Sequence, residues 1–167
     1  MQIIDLSHTI HDGIQIYPGD PQPSIKRALT HEKDYCHVDL LTLGSHTGTH
    51  IDAPYHFLKD GQTIDQLPVQ RFVGQGVLVD VSAKSDRELI EPGDIAPHEN
   101  EIAKGDFVIL KTGRDKYFGT SRYYLHPYLS VAGAQLLLKM GVSLVGTDAL
   151  NVDPTYHDIR DSDPAVN

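Results

Sequence analysis

The sequence predicts an α/β domain with a mixed, mostly β core and few helices. Two observations lead there. Six short runs of β-branched and aliphatic residues have strand length, and only one segment carries a full set of helix signals. The runs are Ile3 to Leu6, Ile25 to Leu29, Val38 to Leu43, Val77 to Val81, Phe107 to Leu110, and Leu144 to Val145. Val77-Leu78-Val79 and Phe107-Val108-Ile109-Leu110 are continuously apolar, the pattern of strands buried on both faces.

The clear helix is Val131 to Met140. Ser130 is its N-cap, because a hydroxyl can accept from an orphan amide of the first turn. Gly141 can take the left-handed conformation that ends a helix. Ala134, Leu137 and Leu138 recur between them at helical spacing. A weaker helix is expected from Ile95 to Ala103, after the turn Pro92-Gly93-Asp94. Tyr17-Pro18-Gly19-Asp20-Pro21 is a tight turn, in which Pro18 presets φ and Gly19 can take positive φ. It is either a surface connection or a loop lining a pocket.

The chain has 167 residues, 40% of them hydrophobic, which is enough for one domain to bury a core without staples. A net charge of −9 argues against nucleic-acid partners, which need clustered Lys and Arg. No apolar run approaches the roughly 20 residues of a membrane span. Cys36 is the one cysteine, so an intrachain disulfide is excluded. The opening Met1-Gln2-Ile3-Ile4-Asp5 lacks a basic stretch before an apolar one, so no secretory leader is expected. Together these suit a reducing cytoplasm. From Asn151 to Pro164 the chain is polar and aperiodic, which reads as a domain without its last strand.

The chemistry is concentrated in Ser45-His46-Thr47-Gly48-Thr49-His50-Ile51-Asp52-Ala53-Pro54-Tyr55-His56. Three imidazoles and a carboxylate fall within eleven residues, a donor set that suits zinc, manganese or iron. A straight strand would hold His46 and His50 about 13 Å apart, too far for one ion. A straight helix would bring them together but turn Asp52 away, and Gly48, the threonines and Pro54 disfavour it. The segment must therefore bend. Gly48 is the natural place, having no Cβ to obstruct the turn or the ion. His46, His50 and Asp52 can then converge on a metal. His56 is either a fourth ligand or a general acid/base, and a catalytic metal's need for an open water position favours the second.

The other histidines lack such a context. His31, His37, His98 and His126 are expected at the surface or in packing, while His8 directly follows the first predicted strand. Cys36 has no readable His partner that would make it a nucleophile. Gly74-Gln75-Gly76 lacks the rest of a dinucleotide fingerprint.

His46 to His56, read as His-x-Gly-Thr-His-x-Asp-x-Pro-x-His, resembles the signature of the metal-dependent cyclase family, of the kynurenine formamidase (arylformamidase) and isatin hydrolase type. Asp5-Leu6-Ser7-His8, Tyr17-Pro18-Gly19-Asp20, Gly146-Thr147-Asp148 and Val152-Asp153-Pro154 agree with it in the expected order. The resemblance implies a swivelling β/β/α fold over residues 1–167, a homodimer or higher homo-oligomer, and hydrolysis of an amide in a small, often aromatic, molecule. It also implies metal ligation by His46, His50 and Asp52 and proton transfer by His56. Formamidase-type members continue further and supply a later His and Glu for a second metal position. No such pair follows Asp148, where His157 is the one late histidine, so the domain is expected to lack that C-terminal segment.

The expectation is a metal-dependent amide hydrolase acting on a formamide or cyclic amide. The cofactor is a divalent metal, zinc or alternatively manganese, and the partner is a small-molecule substrate. Asp148 is expected to orient the substrate or a neighbouring group. The alternative is a noncatalytic relative serving as a metal-binding or oligomerisation module.

Overall fold

The ordering of strands and turns along the computed structural model, which describes residues 2–155, divides the chain into two compact units. One runs to Gln66 and the other starts at Leu67. Of the polar stretch expected from Asn151 to Pro164, the part from Tyr156 on, with His157, lies outside the described residues.

The first unit contains one regular sheet. Strands β1 (Ser24–Leu29) and β2 (Val38–Thr42) pair antiparallel, with Ile25 opposite Leu41 and Arg27 opposite Asp39. The oppositely charged pair adds cross-strand attraction. A single helical turn, α1 (His31–Asp34), joins the strands. The Asp34 carboxylate accepts from the Thr30 amide at 2.9 Å, and Tyr35 closes the turn at φ 59°. Ile3 to Leu6, expected as a strand, is not one. Its apolar side chains lie open, Leu6 at 86% exposure, and among the described residues no strand pairs with it. A β-branched run forms a strand only where another backbone answers its hydrogen bonds.

The second unit is built on a parallel sheet of β3 (Gly76–Asp80), β5 (Phe107–Lys111) and β7 (Leu144–Thr147), with β5 in the middle. Register puts Val77 beside Val108 and Val79 beside Leu110, and Val108 beside Val145. These side chains form one face of the sheet and join the core of Val79, Val81, Ile90, Ile95, Ile102, Val108, Leu110 and Leu137. The other face is not buried as expected, and Leu78 is 54% exposed. Both crossovers step across the sheet in the same direction, and connections of one hand then fall on the same side.

Those crossovers hold the remaining elements. Strands β4 (Leu89–Ile90) and β6 (Tyr128–Leu129) form a two-residue parallel pair that sequence periodicity is too coarse to reveal. Helix α2 (Pro92–Ile95) replaces the longer helix expected from Ile95 to Ala103. It is followed by a 3-10 turn over Ala96–His98, because Pro97 lacks an N–H and blocks continuation. Helix α3 (Val131–Met140) has the predicted ends. Ser130 Oγ accepts from the Gly133 amide at 3.0 Å, and Gly141 sits at φ 77°. Leu137 is its anchor in the core at 2% exposure. No helix among the described residues is long and apolar enough to cross a membrane.

Candidate metal centre

The eleven-residue segment lies in the first unit as a chain of turns. Thr47 donates its amide to the Gly44 carbonyl at 3.2 Å, and Gly48 follows at φ +70°. The bend is where spacing required it, and a side chain from elsewhere in the unit also crowds it. A Cβ on Gly48 would meet Ile10 Cγ1 at 3.2 Å, so an aliphatic side chain from the N-terminal segment presses on this glycine. A second tie comes from Thr49, whose hydroxyl accepts from the His8 amide at 3.0 Å.

Past the bend, the side chains converge. Asp52 Oδ1 lies 2.7 Å from His46 Nδ1 and 3.2 Å from His50 Nε2. The two imidazoles meet edge to face with centroids 4.9 Å apart. One donor atom from each of His46, His50 and Asp52 lies within 4.8 Å of the others. His46 and His50 are about a quarter exposed, so solvent reaches the cluster.

This donor set fits a divalent cation. His50 Nδ1 donates to the Gly48 carbonyl at 2.8 Å, which leaves Nε2 with its lone pair toward the Asp52 carboxylate. Backbone anchoring of the second nitrogen is the usual arrangement of a metal-binding histidine. Two acceptors 3.2 Å apart require a positive species between them, either a proton or a metal. Without a metal the proton is favoured: the hydrogen bond to Asp52 raises the His50 pKa against the opposing effect of burial. The same hydrogen bond from His50 lowers the Asp52 pKa.

His56 follows on a 3-10 turn, Pro54–His56. Its ring lies 4.0 Å from the His46 ring and 4.2 Å from the Phe57 ring. It is adjacent to the cluster but outside the set of converging donors. Pro54 starts the turn, where a missing N–H costs nothing, and the His56 amide donates to the Ala53 carbonyl at 2.9 Å.

Asp148 is engaged in the second unit. Its carboxylate accepts from the Thr112 amide at 2.7 Å, the Thr112 hydroxyl at 2.6 Å and the Gly113 amide at 2.7 Å. It clasps the loop after β5 to the loop after β7, so of the two expected roles it is the orientation of a neighbouring group that these contacts fit. His126 is a packing residue, as expected. Burial lowers its pKa, and Nδ1 and Nε2 lie 2.9 Å and 3.0 Å from the Pro127 carbonyl and the Thr155 hydroxyl. His37 faces Asp39 at 2.9 Å, and His98 faces Glu101 at 3.2 Å. Cys36 is exposed.

Sequence reasoning missed Ile10 and Gly61. A Cβ on Gly61 would lie 2.6 Å from the Pro54 carbonyl carbon, directly behind the turn that presents His56. Nothing in local periodicity signals such a contact.

Known proteins share this arrangement of sequence and fold. A kynurenine formamidase of Salinibacter ruber is 34% identical over 160 residues, an alignment spanning 92% of this chain and 72% of that protein. An isatin hydrolase bound to the product analogue thioisatinate superposes with a TM-score of 0.82 at 23% identity, over 91% of this chain and 68% of that one. A predicted metal-dependent hydrolase from Bacillus stearothermophilus gives a TM-score of 0.72 at 28% identity, over 92% and 72%. The Cyclase family matches residues 4–154, from before the first turn to beyond the Asp148 clasp. A match of that length, over a segment whose histidines and aspartate converge in space, means that this chain belongs to the Cyclase family.

Proposed function

We propose that this chain is a metal-dependent hydrolase that cleaves the amide bond of a small aromatic molecule, a formamide or a cyclic amide. The observation that carries the reading is the His50 anchor. Its Nδ1 is held by the Gly48 carbonyl, so that Nε2 and the Asp52 carboxylate face one another beside His46. The kynurenine formamidase relatives supply the substrate class.

In this reading His46, His50 and Asp52 hold the cation, zinc or alternatively manganese, both of which accept imidazole and carboxylate donors. When bound, such an ion polarises a carbonyl oxygen and makes water acidic enough to ionise near neutral pH. His56 handles the protons. Its neutral imidazole takes one from the attacking water and returns it to the amide nitrogen as the C–N bond breaks, giving a carboxylic acid and an amine. The proposed setting is the cytoplasm, with the chain as a homodimer or higher homo-oligomer.

The test is N-formylkynurenine hydrolysis by the purified protein, followed by absorbance together with metal content per chain. Activity should vanish on chelation and return with added zinc or manganese. Metal binding without hydrolysis of N-formylkynurenine, formanilide or a cyclic aryl amide would overturn the enzymatic reading in favour of a metal-binding module.

A further inference from the structure

We propose that Gly61 is a positioning residue for proton transfer, acting through the backbone of the turn that bears His56. The inference rests on the functional reading above for its catalytic consequence, but the geometry is independent of it.

After His56 the chain reverses at Leu58–Gly61, closed by the Gly61 amide donating to the Leu58 carbonyl at 2.8 Å. The returning segment then lies against the turn it has left. The Tyr55 amide donates to the Gln62 carbonyl at 3.1 Å, so the two segments are clasped backbone to backbone. Gly61 sits in that clasp. A Cβ there would stand 2.6 Å from the Pro54 carbonyl carbon, 2.7 Å from its oxygen and 2.8 Å from the Tyr55 nitrogen. All three are backbone atoms of one peptide, so no side-chain rotation relieves the contact. Reaching an ordinary 3.4 Å from 2.6 Å requires a shift of roughly 0.8 Å.

Pro54 limits where that shift can go, because its ring fixes φ. Either the Pro54–His56 turn moves, which displaces the His56 imidazole from its place 4.0 Å from the His46 ring, or the Gly61 segment recoils and the Tyr55 to Gln62 bond that braces the turn is lost. His46, His50 and Asp52 precede the turn and are held by contacts of their own with the Gly48 carbonyl and with one another. Crowding at Gly61 therefore separates the proton-transfer group from the metal ligands.

The experiment uses Gly61→Ala, His56→Asn and the double variant, each loaded with zinc. Two substrates are compared: formanilide, whose amine must be protonated to leave, and phenyl formate, whose phenolate need not be. A displacement approaching 1 Å at a catalytic group costs about 10²-fold in rate. Gly61→Ala should therefore lower kcat on formanilide by about that factor and on phenyl formate by less, because the ester loses only the proton transfer from the attacking water, while zinc per chain is unchanged. The double variant should be no slower than His56→Asn alone, since both changes act on one group. Equal losses on both substrates, multiplying losses in the double variant, or failure of Gly61→Ala to fold would each overturn the proposal.

Proton NMR supplies a readout that needs no turnover. A nuclear Overhauser contact between the His46 and His56 rings should be present in the wild type and lost in Gly61→Ala, with the His46–His50 contact retained. Persistence of the first contact in the variant would refute the proposal. Wild-type inactivity on both substrates, with the NMR result as expected, would sink the functional reading and leave the positioning role standing.

Discussion

Asp52 and Asp148 are both surrounded by donors at hydrogen-bond distance, yet their surroundings make them different instruments. Asp148 faces two backbone amides and a hydroxyl, all of which keep their protons at any physiological pH. Its contacts are permanent, and they tie the loops that follow two core strands. Asp52 faces two imidazoles, each able to give up its proton. Its contacts can be exchanged for a cation without leaving any amide unsatisfied. A carboxylate ringed by peptide donors is structural, whereas one ringed by titratable nitrogens is open to a ligand.

The sharpest way to break this comparison is at the ligands. Asp52→Asn or His50→Ala should lose the metal, and amide hydrolysis should fall to the buffer rate. The apo protein should keep its melting temperature, because these side chains are partly exposed and bury little. Full metal content in either variant would rule out the ligand assignment.

His56→Asn should retain the metal and lose about 10²–10⁴-fold in hydrolysis, the usual contribution of general acid/base catalysis. Metal analysis and rate on the same preparation decide this. Loss of metal with activity would make His56 a ligand, and unchanged activity would make it a bystander.

Asp148→Ala should do the reverse. It strands the Thr112 and Gly113 amides and should cost about 2–4 kcal/mol of stability, or roughly 5–15 °C in Tm. Metal per chain should not change in the protein that remains folded. Calorimetry of the variant beside Asp52→Asn would place each carboxylate in its class. An Asp148→Ala protein with wild-type Tm and no metal would invert the comparison.

The smallest effect is expected at His126, whose buried imidazole is held neutral between the Pro127 carbonyl and the Thr155 hydroxyl. Burial depresses its pKa in the folded state, with Arg114 acting in the same direction and Asp153 against it. The unfolded chain therefore binds a proton more readily below the ordinary value near 6.5. Stability is intact above that value and is lost as pH falls beneath it. The Tm of the wild type should drop between about pH 7.5 and pH 5 more than that of His126→Asn. Parallel curves would show that His126 is not among the groups that sense acid.

What the sequence by itself determined is what depends on near neighbours along the chain. His46, His50 and Asp52 lie so close in sequence that few backbone paths bring them together, and a glycine between them marks the bend. Helix α3 has both caps and its apolar spacing within twelve residues, so Ser130 to Gly141 could be delimited without knowing what covers it. β3 and β5 are long enough apolar runs to be legible, although only the topology decided that Leu78 stays exposed. The tertiary structure decided everything that needs a distant partner. Ile3 to Leu6 has strand composition but no strand to answer it, and β4 and β6 exist because two residues of each meet across the second unit. Asp148 became a clasp because the loop at Thr112, 36 positions earlier, offers it three donors. Gly48 and Gly61 look alike as letters. The first answers to a positive φ and to Ile10, the second to the peptide of Pro54 packed against it. Steric limits of that kind reside in the space between segments, which composition and periodicity do not encode.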